Sequence, residues 1–240
     1  MGAVISVGRG CVWRRVVSGV VAIVLAAGVL VLGASGALAA TGELDAAFND
    51  TLSDAVATAT SDAGLNSTVR SVAWDGSGYV IGGSFRNGPG TGAGNKRVFR
   101  VGNDGALDTA FNNTLSGELA TATSSAGLNN GVASVVWDGS GYVIGGSLTN
   151  GPGTGAGNKS VFRVGNDGAL DTAFNDTLSG ALATATSSAG LNYTVNSVAW
   201  DGSGYVIGGT FTNGPGTGAG NKRVFRVWEF TTAPVFTSAD

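Results

Sequence analysis

Trp74-Asp75-Gly76-Ser77-Gly78-Tyr79-Val80-Ile81-Gly82-Gly83 is the stretch that decides how this chain folds. Aromatic and β-branched residues stand on both sides of Asp75-Gly76-Ser77-Gly78, and glycine tolerates the positive φ that a tight hairpin turn demands. Two strands and a turn follow from that pattern. The same ten residues return from Trp137 and from Trp200, 63 positions apart each time.

A second marker keeps the same period. Gly42-Glu43-Leu44-Asp45-Ala46-Ala47-Phe48 has counterparts at 105–111 and 168–174, and the first two copies agree at 49 of 63 positions without a gap. A fixed period of this length is the signature of stacked repeats. The chain therefore divides into repeat 1 (42–104), repeat 2 (105–167) and repeat 3 (168–230), followed by 231–240 as a linker or the start of a further domain.

Within a copy, Val69 to Trp74, Tyr79 to Phe85 and Arg97 to Val101 read as strands, and Asn103-Asp104-Gly105 as a turn leading to a fourth, Leu107 to Phe111. Residues 51–66 are open between two readings. Leu52, Ala55, Val56 and Ala59 would share a helical face, whereas Val56-Ala57-Thr58-Ala59-Thr60 alternates like a strand. A sheet this small cannot bury both faces alone, so the copies are expected to stack. The expected fold class is all-β: three tandem 63-residue antiparallel blade-like repeats, in a closed or open array. Leu44 to Phe48 precedes the first hairpin without a strand of its own to follow, and is expected to close a ring by completing the last copy at Arg223 to Val227.

Asp75 to Gly83 and Arg100-Val101-Gly102-Asn103-Asp104-Gly105-Ala106-Leu107-Asp108-Thr109-Ala110-Phe111-Asn112 resemble the delta-60 repeats of bacterial surface and secreted proteins, over residues 42–227. The resemblance implies a β-propeller-like array and brings no catalytic residues with it. The insertion from Asp50 to Asn66 departs from that pattern and bears on where the blades begin. The tail Ala233-Pro234-Val235-Phe236-Thr237-Ser238-Ala239-Asp240 resembles the opening of an immunoglobulin-like domain.

The first forty residues read as an address. Arg9, Arg14 and Arg15 precede an uncharged apolar run from Val16 to about Gly33, and Ala37-Leu38-Ala39-Ala40 supplies small residues for cleavage after Ala39. Residues 1–39 are thus expected to be a signal peptide, and the mature chain to be secreted or held at the cell surface. The alternative is an uncleaved anchor helix, the only route to a membrane, since 16–40 is long enough to span one.

Composition sharpens the functional classes. Three of the 13 basic residues and none of the 16 acidic ones fall in the first forty positions, so the remainder carries a net charge of −6. Such a body repels phosphate backbones, and no nucleic-acid partner is expected. The chain has no histidine, and its one cysteine is Cys11, so triads and zinc sites built on those residues are excluded from the mature part. Gly88 to Lys96 is glycine-rich, but Asn95 separates Gly94 from Lys96 and a strand follows, unlike a phosphate-binding loop. Asp104, Gly105 and Asp108 look like part of a calcium loop. Arg100 and Gly102 occupy the preceding ligand positions, so a turn is expected, with Asp108 bonding backbone amides or Arg100.

No catalytic, cofactor or metal residue is therefore assigned. The expected role is a non-enzymatic exported module, acting as a structural spacer or an interaction scaffold. The alternative is a dedicated propeller that binds a glycan or protein at the cell surface. In that case positions that differ between copies matter, and Tyr193, Arg70 and Arg86 are the ligand-contact candidates. A glycosidase-like propeller is the minor alternative, with Asp54, Asp62 and Glu118 among the acids peculiar to one copy.

Overall fold

The computed structural model describes residues 20–25, 28–33, 42–61, 63–91, 97–124, 127–153, 160–187, 190–216 and 222–228. They belong to two compact units, 1–44 and 45–240. In the first unit, β1 (Val20–Leu25) and β2 (Gly28–Gly33) pair as an antiparallel hairpin with Val24 opposite Val29. The described part of the apolar run is thus extended rather than helical. The expected cleavage site, the three arginines and the 231–240 tail lie outside the described residues, as do 92–96 of the glycine-rich loop. Among the described residues no helix is long and apolar enough to cross a membrane.

The second unit repeats one helix and one three-stranded sheet three times. The first copy contains α1 (Ala46–Ala59), β3 (Val69–Trp74), β4 (Gly78–Gly83) and β5 (Val98–Gly102). The second contains α2 (Thr109–Ala122), β6 (Val132–Trp137), β7 (Gly141–Gly146) and β8 (Val161–Gly165), and the third α3 (Thr172–Ala185), β9 (Val195–Trp200), β10 (Gly204–Gly209) and β11 (Val224–Trp228). Each sheet is an antiparallel meander with its middle strand second in sequence.

The helices correct the all-β expectation, and Asp45, Asp108 and Asp171 explain why. Each carboxylate caps a helix by accepting the amide proton of the phenylalanine three residues on, at 3.0, 2.9 and 2.9 Å. Behind the cap, Phe111, Leu115 and Leu119 recur at helical spacing and are buried as one stripe. Leu107 to Phe111 is therefore not a strand. Leu107 makes a single β-bridge to Val101, and the helix begins two residues later. Residues 51–66 take the helical alternative for most of their length.

The turn at Asp75 forms as its sequence suggests. Asp75 Oδ1 accepts from the Ser77 amide at 2.7 Å, the Ser77 hydroxyl at 2.9 Å and the Gly78 amide at 2.7 Å, while Gly76 adopts φ +93°. Asp138 and Asp201 repeat the arrangement.

The sheets stack face to face, β6 against β3 and β4, and β9 against β6 and β7. Close approach depends on the second glycine pair of the motif. A Cβ at Gly82 would lie 2.5 Å from Val132 Cγ1, and one at Gly145 would lie 2.5 Å from Val195 Cγ1. Two cores result, one between the first and second sheets under α2, the other between the second and third under α3.

The array is open. At one end Trp74 and Val72 are 60% and 55% exposed, and at the other Val206 and Val224 are 37% and 42% exposed. Leu44 to Phe48 does not complete the last copy: residues 46–48 are helical, and the Phe48 ring meets Tyr79 of its own copy edge-on at 5.6 Å.

Candidate functional site

The most elaborate polar cluster lies at each junction between copies. Arg100 on β5 is clasped along its backbone by Asn112 of α2, its amide donating to Asn112 Oδ1 at 2.7 Å and its carbonyl accepting from Asn112 Nδ2 at 3.0 Å. Its guanidinium reaches Asp75 and Ser77, each at 2.7 Å, and also Asp108, which caps α2. Tyr142, from the next sheet, donates its hydroxyl proton to Asp75. The second junction repeats this with Arg163, Asp138, Ser140, Asp171, Asn175 and Tyr205. At the third position Arg226 has Asp201 and Ser203, but a tryptophan, Trp228, lies 3.8 Å over its guanidinium.

Each complete cluster sets one guanidinium between two carboxylates. Burial would raise the Asp75 and Asp138 carboxyls, yet the Tyr142 hydroxyl and Arg100 hold Asp75 well below the usual range, and Arg163 and Tyr205 bring Asp138 to about 2. Burial, joined by the neighbouring carboxylates, pushes the Tyr142 and Tyr205 hydroxyls above their ordinary value. None of these groups changes protonation near neutral pH. The cluster has the chemistry of a latch, not of an acid–base pair.

A second site opens between the first and second copies. It is a cleft of about 470 Å³ lined by Asn66, Ser67, Arg70, Ser84, Arg86, Arg97, Asn130, Gly131 and Ser147, with three arginines and no acid. Arg97 is buried and donates to the carbonyls of Leu128, Ser84 and Asn129 at 2.8, 3.1 and 3.0 Å. Arg70 Nε donates to Ser84 Oγ at 2.7 Å. Burial, and after it the charge of Arg86, lowers the Arg97 pKa, as expected where cations are crowded. The cleft can accept an anion.

Of the sequence-derived ligand candidates, Arg70 and Arg86 meet in this cleft. Tyr193 does not. It is 61% exposed in the third copy, at the position matching Ser67, and the second copy carries Ala133, Thr149 and Ser160 in place of the three arginines. Sequence reasoning does not reach Arg97, although its position differs between copies, with Ser160 in the second and Arg223 in the third.

The residues weighed for hydrolysis and calcium are placed elsewhere. Asp54 and Glu118 are exposed on helices of different copies, and Asp62 lies outside the described residues. Asp108 is engaged by the α2 cap and by Arg100, and Asp104 accepts from the Ala106 amide at 3.0 Å. Among the described residues no cluster of three or more acidic, histidine or cysteine side chains could hold a metal ion. In comparisons with known proteins, no family model, curated protein or solved structure matches this chain.

Proposed function

We propose that this chain is a non-enzymatic, exported repeat module of a bacterial surface or secreted protein, of the delta-60 type, whose propeller-like stack of sheets serves as a spacer or interaction scaffold. One observation carries the reading: at both complete junctions Arg100 and Arg163 reach the helix cap of the next copy, and Tyr142 and Tyr205 reach back to the turn of the copy before, so buried polar groups join copy to copy. Structural investment of that kind suits an array that holds surfaces at fixed spacing. Export is tested by intact-mass measurement of the released protein. Material starting near residue 40 supports the reading, and a membrane-retained product starting at Met1 opposes it.

The Arg70–Arg86–Arg97 cleft favours a second reading, in which the scaffold also binds an anionic glycan or an acidic protein segment. Guanidinium groups suit carboxylate and sulfate oxygens because they offer paired donors in a plane. An array carrying matched acidic and neutral glycans, probed with the chain and with its Arg70→Ala/Arg86→Ala variant, tests the glycan form. Selective binding of acidic glycans that the variant loses supports it, and binding of neither class opposes it.

A further inference from the structure

The two ends of the stack carry the two unmatched halves of its own internal junction. At the head, α1 and β3 frame an open apolar groove of about 680 Å³ that includes Leu52, Val56, Val69 and Val72. The matching residues of the second copy, Leu115, Leu119, Val132 and Val135, are buried in the core they share with Val80 and Val98 of the first sheet. At the tail, the counterparts of Val80 and Val98 are Val206 and Val224, which are exposed.

The fit extends to shape and polarity. Gly208 corresponds to Gly82 and Gly145, whose flat surfaces receive Val132 and Val195, yet a Cβ there would meet only the Arg223 carbonyl at 3.9 Å. Val69 is the counterpart of Val132 and has no such surface to sit on. The Tyr79 hydroxyl, counterpart of Tyr142, has no hydrogen-bond partner among the described residues, and Asp201 lacks the tyrosine that Asp75 and Asp138 receive.

We propose that a second copy of this chain docks head-to-tail on the first. The α1–β3 groove of one chain seats Val206 and Val224 of the other, Val69 covers Gly208, and Tyr79 bonds Asp201. A second copy is the occupant because the groove and its filling are the two sides of an interface that the chain forms twice internally, position for position. The contact is heterologous, so it either closes two chains into a ring of six sheets or propagates as a filament. This goes beyond the scaffold reading and does not depend on export or on a glycan.

Sedimentation velocity on the purified full chain over a concentration series tests the proposal. Val72→Asp blocks the head and Gly208→Val blocks the tail. Val69→Asp and Val206→Asp serve as second variants of each end, and a thermal melt checks that each folds. The wild type is expected to associate with rising concentration, while each folded variant stays monomeric. An equimolar mixture of head-blocked and tail-blocked chains is expected to form pairs and nothing larger, because only one good end remains on each. A wild type that stays monomeric, a variant that associates like the wild type, or a mixture that stays monomeric would overturn the proposal.

Discussion

The Tyr205 hydroxyl donates to Asp138 Oδ2 at 2.5 Å, tying the third sheet to the hairpin turn of the second. Arg163 meets the same carboxylate at 2.8 Å, and its side chain is 12% exposed against 0% for that of Asp138. Removing one member of a buried ion pair strands the other, at a cost of about 3–5 kcal/mol. Arg163→Ala is expected to lose that much stability in urea unfolding. Arg226→Ala, at the exposed end of the stack, is expected to change little, although its sequence context in the strand is nearly the same.

The paired glycines give a second contrast. A side chain at Gly145 collides with Val195, whereas the same change at Gly208 enters open space. Gly145→Val is expected to destabilise the chain by about 1–3 kcal/mol or more through overpacking, and dilute Gly208→Val to melt like the wild type. Equal melting temperatures for the two variants would contradict the stacking order of the sheets.

Asp171 has two duties where Asp45 has one. Both cap a helix, but Asp171 also pairs with Arg163, while Asp45 has no arginine partner among the described residues. Loss of the cap alone costs about 1 kcal/mol. Asp45→Ala is expected to show a loss of that size, and Asp171→Ala a clearly larger one, in parallel denaturant titrations.

Stability should form a plateau bounded by the junction groups. Asp138 ionises at about 2 in the fold against an ordinary 3.8, so its contribution is present above 3.8 and is lost as pH falls toward about 2. Tyr205 is shifted upward from an ordinary value of 10.0. The unfolded chain therefore releases that proton first, and stability is lost as pH rises above 10.0. Melting temperatures across pH are expected to drop at both edges, with Asp138→Asn flattening the acid limb. A transition centred near neutral pH would not fit these groups.

Much of the fold is legible in the repeat. Val69–Trp74 is read from its residues with the observed bounds, and the Asp75 turn follows from its glycines. The helices were harder to read for a physical reason. Ala57, Thr58, Ala59 and Thr60 are small enough to satisfy either periodicity, so the decision passes to Asp108 and its counterparts, whose capping bond is formed three residues on, inside a segment that alternates like a strand. The latch was half visible. A bond between Asp108 and Arg100 follows from their nearness in sequence, but Tyr142 lies 42 positions beyond Arg100 and joins it only once the sheets stack. Ring closure through Leu44 to Phe48 does not occur for a different reason: Asp45 caps a helix that starts at Ala46, and Phe48 packs on Tyr79 within its own copy.

A double-mutant cycle on Tyr205 and Asp138 tests most directly that the copies are latched sheet to sheet. The variants are Tyr205→Phe, Asp138→Ala and both together, with Tyr79→Phe and Asp201→Ala as the matching cycle at the open ends, all measured by equilibrium unfolding at concentrations where the chain is monomeric. Groups in direct contact typically couple by about 0.5–3 kcal/mol, and distant ones add. The latch requires coupling of that size between Tyr205 and Asp138 and none between Tyr79 and Asp201. Additive losses at Tyr205 and Asp138 would contradict it.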